Sequence, residues 1–151
     1  MESMIKDAAL SGEALKNALD FAAFLKANEM TAGGEHGEVS YREKPVCYMH
    51  LENSAQKPGP WTIWTETEGD YSAEHEDVAL DERMKEIAWA NVNVCASCGS
   101  DCSPGMRKVI FGKEFDNVCH AVMAFHMPDA EALECVKKLL EMRKRTLKSS
   151  I

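Results

Sequence analysis

Apolar residues recur at spacings of three and four between residues 11 and 29. Ala14, Leu15, Ala18, Leu19, Ala22 and Leu25 form the stripe, and Phe21 widens it. This period predicts an amphipathic helix, with Ser11 as its N-cap and Gly33-Gly34 opening a polar loop behind it. From Pro45 to Glu52 the pattern becomes alternation. Val46, Tyr48 and His50 fall on one face, and Cys47, Met49 and Leu51 on the other, which predicts a strand. Gln56-Lys57-Pro58-Gly59-Pro60 reads as a turn, and Trp61-Thr62-Ile63-Trp64-Thr65 as a second strand. The two strands are expected to pair as an antiparallel hairpin with a long loop. Residues 66–77, with Glu66, Glu68, Asp70, Glu74, Glu76 and Asp77, read as a solvated acidic loop. Their spacing does not match a calcium loop, which also needs a central glycine.

A second helix is expected from Leu80 to Asn91, with Leu80, Met84, Ile87, Ala88 and Asn91 inward and acidic residues at its start. Lys108-Val109-Ile110-Phe111 and a long run from Glu114 to about Phe125 read as strands around a hairpin turn at Gly112-Lys113. Phe115, Asn117, Cys119, Ala121, Met123 and Phe125 share one face of the longer strand. Val118, His120, Val122, Ala124 and His126 share the other. Mostly apolar character on both faces predicts a central strand. Pro128-Asp129 opens the last helix, with Pro128 placed in its first turn. Its rows are Leu133, Val136, Leu140, Leu147 and Ala132, Cys135, Leu139, Met142. The expected fold is α+β. An antiparallel sheet of about four to five strands packs against N- and C-terminal helices.

At 151 residues, the chain is expected to form a single globular domain, residues 1–151. No apolar run approaches the ~20 residues needed to span a bilayer, so no membrane partner is expected. The start, Met1 to Asp7, lacks the basic-then-apolar order of a secretory signal, so the cytoplasm is the expected location. Thiols stay reduced there, and the six cysteines read as ligands and buried apolar residues rather than disulfides. The net charge is −8 and unevenly spread. Residues 1–94 carry 8 Lys/Arg and 18 Asp/Glu, whereas residues 95–151 carry 9 and 7. An acidic surface argues against broad phosphate-backbone binding, and no nucleic-acid partner is expected. Lys137, Lys138, Arg143, Lys144, Arg145 and Lys148 cluster late, where they complement the negative end of the last helix.

The chemistry is concentrated in Cys95-Ala96-Ser97-Cys98-Gly99-Ser100-Asp101-Cys102, with Cys119 further on. A Cys-x-x-Cys-Gly turn aims two sulfurs at one point, and the glycine lets backbone N–H groups approach the thiolates. Four cysteines close a tetrahedral site with no open position for water or substrate. Such a site is a structural zinc knuckle rather than a catalytic centre. The expected ligands are Cys95, Cys98, Cys102 and Cys119, with His120 or Asp101 as alternatives for the fourth. His120 and Cys119 are strand neighbours and face opposite ways, so only one can join. An iron–sulfur cluster fits the spacing less well. The competing reading is a redox thiol enzyme or sensor using Cys95 and Cys98. A redox-active pair normally opens a helix, and the residues after Cys98 do not read as one.

Tyr48, Trp61 and Trp64 are candidates for a small-molecule pocket. Trp61 and Trp64 should point to opposite faces of their strand, so at most one can line a given cavity. Cys47 and Cys135 read as buried, apolar and chemically quiet. His50, His120 and His126 carry no local signature of a catalytic base.

Several phrases of the chain carry a resemblance. They are Pro60-Trp61-Thr62-Ile63-Trp64, Asp81 to Trp89, Cys95 to Cys102, Ile110 to Cys119 and Glu134-Cys135-Val136-Lys137-Lys138. Together they resemble a family of small, largely uncharacterised bacterial proteins with a Cys-x2-Cys-Gly-x2-Cys cluster. Similar sequences also form the C-terminal part of some helix-turn-helix regulators. The resemblance covers residues 20–147 and is strongest from Pro60 onward. It implies a sensing or ligand-binding module. The chain has no segment matching the DNA-binding part of those regulators, so direct regulation is not implied. The expectation is a non-catalytic, zinc-stabilised binding module with a small-molecule ligand.

Overall fold

A computed structural model describes residue 5 and residues 12–33, 37–54, 57–65, 80–95 and 105–149. Within them lie three helices, α1 (Gly12–Ala27), α2 (Glu82–Ala90) and α3 (Ala130–Ser149). The strands are β1 (Thr31–Ala32), β2 (Glu38–Tyr41), β3 (Lys44–Ser54), β4 (Lys57–Thr65), β5 (Val92–Val94), β6 (Met106–Ile110) and β7 (Lys113–His126). All pairings are antiparallel. The spatial order is β1-β2-β3-β4-β7-β5, with β6 also paired to β7. The α+β class is as expected. The sheet is larger, with seven strands among the described residues rather than four or five.

The additional strands are short. β1 and β2 fall where Gly33-Gly34 suggested only a loop. The surviving signal is Val39 and Tyr41, two buried residues at a period of two. β5 has three residues and follows α2 after a single turn residue, so it has no periodic signature of its own. The segment read as the turn 56–60 belongs mostly to β4: Lys57 and Pro58 pair with Ser54 and Asn53. β4 pairs with β7 at Thr62–Trp64, so residues 57–60 have one edge unpaired among the described residues, where proline is tolerated. The loop between these strands is accordingly short, not long. The β6–β7 turn is Phe111-Gly112, not Gly112-Lys113. Ile110 pairs with Lys113, and φ is +48° and +87° at the two turn residues, the conformation of a tight two-residue hairpin.

Helix starts follow local chemistry. Asp81 accepts a hydrogen bond from the Met84 N–H at 2.8 Å and caps α2. Asp129 does the same for the Ala132 N–H at 2.8 Å, so Pro128 precedes the cap instead of occupying the first turn. The Ser11 cap and the acidic loop 66–77 lie outside the described residues.

One face of the central sheet carries Cys47, Met49, Trp61, Ile63, Met123 and Phe125, all buried. α1 packs there: the Phe21 and Trp61 rings are 6.1 Å apart and tilted by 46°. α3 adds Leu133, Val136, Leu139, Leu140 and Met142, the rows foreseen for it. α3 is tied to α1 by Lys137–Asp20 at 2.6 Å and to α2 by Arg83–Glu131 at 2.6 Å. α2 is fastened to β6 by the Trp89 indole N–H, which donates to the Ile110 carbonyl at 2.7 Å.

Candidate functional site

β7 organises the cysteine region. Val118 is the register partner of Val94 on β5 and also of Met106 on β6. Cys95, directly after β5, donates its N–H to the Asn117 carbonyl at 2.7 Å. The Asn117 amide returns a hydrogen bond to the Cys95 carbonyl at 3.1 Å. Asn117 adopts φ +57°, a left-handed conformation that asparagine tolerates better than most residues. Gly105, just before β6, lies against the same residue. A Cβ there would stand 2.6 Å from the Asn117 carbonyl carbon and 2.7 Å from its oxygen. Only glycine fits so close a backbone approach. Cys95 and Gly105 therefore meet the same residue of β7, two positions before Cys119.

Of the four expected ligands, Cys95 and Cys119 are described, both half-buried and free of disulfides. Cys95 lies across from Asn117 and Cys119 two residues further along β7. Such diagonal neighbours sit roughly 7–8 Å apart across a strand pair. Cys98 and Cys102, together with Asp101, lie outside the described residues, as does the His120 side chain. Among the described residues no three His, Cys, Asp or Glu side chains form a metal-holding group. Asn117 and Gly105 are positioning residues that pattern reading missed. Their signal was an asparagine on an apolar strand face and a glycine closing the cysteine segment.

The three candidate pocket residues separate. Trp61 is buried on the inner face, and its indole N–H has no hydrogen-bond partner among the described residues. Tyr48 and Trp64 are register partners on the outer face. Trp64 is 38% exposed, and its ring lies parallel to that of His50, with centroids 6.1 Å apart and 5° between planes. Trp61 thus leaves the set, and His50 joins Tyr48 and Trp64. In the next row, His50, Thr62 and His126 are register partners across three strands, and the Thr62 hydroxyl and His126 Nδ1 are 2.9 Å apart.

Neither outer-face histidine is placed to activate a described cysteine. Cys47 is buried on the opposite face from His50. Cys119 and His126 are separated by roughly 23 Å of strand. Burial pushes the Cys47 thiol well above its ordinary range. Burial, and secondarily the Asp81 charge, pushes Cys135 from 9.0 to about 12. The Cys135 thiol also donates to the Met84 carbonyl at 3.4 Å. Both are protonated packing residues, as their positions in apolar rows suggested.

No helix among the described residues is long and apolar enough to cross a membrane. Comparison with known proteins finds no matching family model, no matching curated protein and no matching solved structure.

Proposed function

We propose that the chain is a zinc-stabilised binding or sensing module, without catalysis of its own, whose zinc is held by Cys95, Cys98, Cys102 and Cys119. One observation carries this reading. Cys95, Gly105 and Cys119 converge on Asn117 and Val118 of β7. Cys98 is three residues from Cys95, and Cys102 is three residues from Gly105. Each is thereby tethered within roughly 11 Å of its anchor, whatever path the chain takes. Four thiolates brought together there would suit a tetrahedral site with bonds of about 2.3 Å. Zinc would then join the end of β5, the start of β6 and the middle of β7, and its binding free energy would add to fold stability.

The recognition surface in this reading is the outer face formed by Tyr48, His50 and Trp64. A half-exposed indole stacked on an imidazole offers a flat, partly dry platform for a small planar or apolar ligand. The resemblance to the C-terminal part of helix-turn-helix regulators supports the sensing role. The redox alternative at Cys95 and Cys98 has less support, because the sequence after Cys98, Gly99-Ser100-Asp101-Cys102-Ser103-Pro104-Gly105, does not read as a helix whose dipole would lower a thiol pKa.

Metal content per chain, measured on protein purified without added metal, tests the proposal. About one zinc is expected. Cys98→Ser and Cys119→Ser should each lose zinc and melting temperature together. If either variant melts like the parent and only thiol exchange is lost, the redox reading replaces this one.

A further inference from the structure

α3 carries Glu141, Lys144, Arg145 and Lys148 at helical spacings of three and four, hence on one face. Together with Asn28, just beyond α1, they line an open groove of about 440 Å³. The groove holds three cations against one carboxylate in a chain whose net charge is −8. Glu141 is itself engaged, 3.7 Å from Lys138. Lys144 and Lys148 form no ion pair among the described residues, whereas Arg83, Lys85, Arg107, Lys137 and Lys138 all do. Complementing the negative helix end would account for one or two cations in the last turn. It does not account for three converging with an amide from the turn that follows α1.

The cations are also held in place. The Lys144 ammonium lies 5.2 Å from the centroid of the buried Tyr41 ring, and the Arg42 guanidinium lies 5.3 Å from it. Two cations on one ring fix the flank of the groove and bring a fourth positive charge to its edge. The Asn28 amide donates to the Phe24 carbonyl at 2.9 Å, which orients its oxygen as an acceptor.

We propose that this groove binds a small phosphorylated compound. Lys144, Arg145 and Lys148 would hold the phosphate, and the organic part would lie along Asn28. Lys144 and Lys148, two positive charges without an ion pair among the described residues, match a phosphate dianion. The planar arginine fork bonds phosphate oxygens in pairs, and lysines add point charge. The volume exceeds that of a phosphate alone and falls in the range of small-ligand sites. The site is remote in the fold from the cysteine cluster and does not depend on zinc.

Calorimetric titration of the full chain with pyrophosphate, at low and at physiological salt, tests this. One saturable site is expected. Arg145→Ala or Lys148→Ala should weaken it about tenfold or more, the loss of a charge-assisted hydrogen bond. Lys85→Ala, on α2, should change nothing. Glu141→Gln should tighten binding, an outcome that a purely structural role would not produce. Arg145 and Lys148 are exposed, and near-ultraviolet circular dichroism checks that the variants remain folded. Absence of saturable binding would overturn the proposal, and so would equal weakening by Lys85→Ala. Tighter binding to an oligodeoxynucleotide or to anionic vesicles than to pyrophosphate, with the same dependence on Arg145 and Lys148, would also overturn it and assign the groove to a macromolecular surface.

Discussion

Single residues already separate inert thiols from thiols available for ligation. Cys47 and Cys135 are fully buried and stay protonated in the fold. The unfolded chain releases the Cys135 proton near pH 9, the folded protein only near pH 12. Its stabilising contribution is therefore complete below about pH 9 and falls as pH rises toward 12, by ~1.4 kcal/mol per pH unit. Cys47 acts in the same direction. Urea midpoints followed from about pH 8 to about pH 11 should drop, and Cys135→Ala should make that decline shallower. Trp61 offers a second test. Its ring fills the space beneath Phe21, so Trp61→Ala should cost about 3–5 kcal/mol. Its N–H has no partner among the described residues, so Trp61→Phe should cost only the lost volume, which chemical denaturation can distinguish.

At the scale of elements, the helix starts were legible only approximately, their capping residues Asp81 and Asp129 were not singled out, and the joint at β7 was not legible at all. Asp81 and Asp129 occupy capping positions that short-range chemistry alone dictates, and Asp129→Ala should lower stability by about 1 kcal/mol. The joint depends on residues distant in sequence: Cys95 and Asn117 are 22 positions apart in their hydrogen bond. Gly105→Ala would drive a Cβ into the Asn117 backbone. We expect it to displace β6 and to reduce retained zinc, read as metal per chain and melting temperature. Asn117→Gly keeps the left-handed φ and loses only the amide bond. It should therefore retain more metal than Asn117→Val, whose branched side chain disfavours that conformation.

For the whole molecule, the proposed zinc would join three strands that the helices cover only in part. Val94 and Met106, the two partners of Val118, are 58% and 48% exposed. A region with so little apolar cover depends more than the rest on local cross-links. Chelation of zinc should therefore lower the melting temperature. Amide exchange should rise first in β5, β6 and the middle of β7, and last in β3 and β4. Uniform protection loss across the sheet would mean that the cysteine region is not a separate unit of stability.

The periodic segments were determined by sequence alone. The stripes of α1 and α3, the alternation of β3, the apolar length of β7 and the burial of Cys47 and Cys135 follow from side-chain pattern, which is local information. The opposite orientations of Trp61 and Trp64 follow from the two-residue period of a strand. Tertiary structure decided the rest. β1, β2 and β5 are too short to announce themselves and exist because neighbouring strands offer hydrogen bonds. Prolines 58 and 60 lie within a strand, one edge of which pairs with no described residue there. The meeting of Cys95, Gly105 and Cys119 at Asn117, and of Asn28 with the cations of α3, joins residues far apart in the chain. Only packing brings such groups together, because nothing in their spacing records the distance between them.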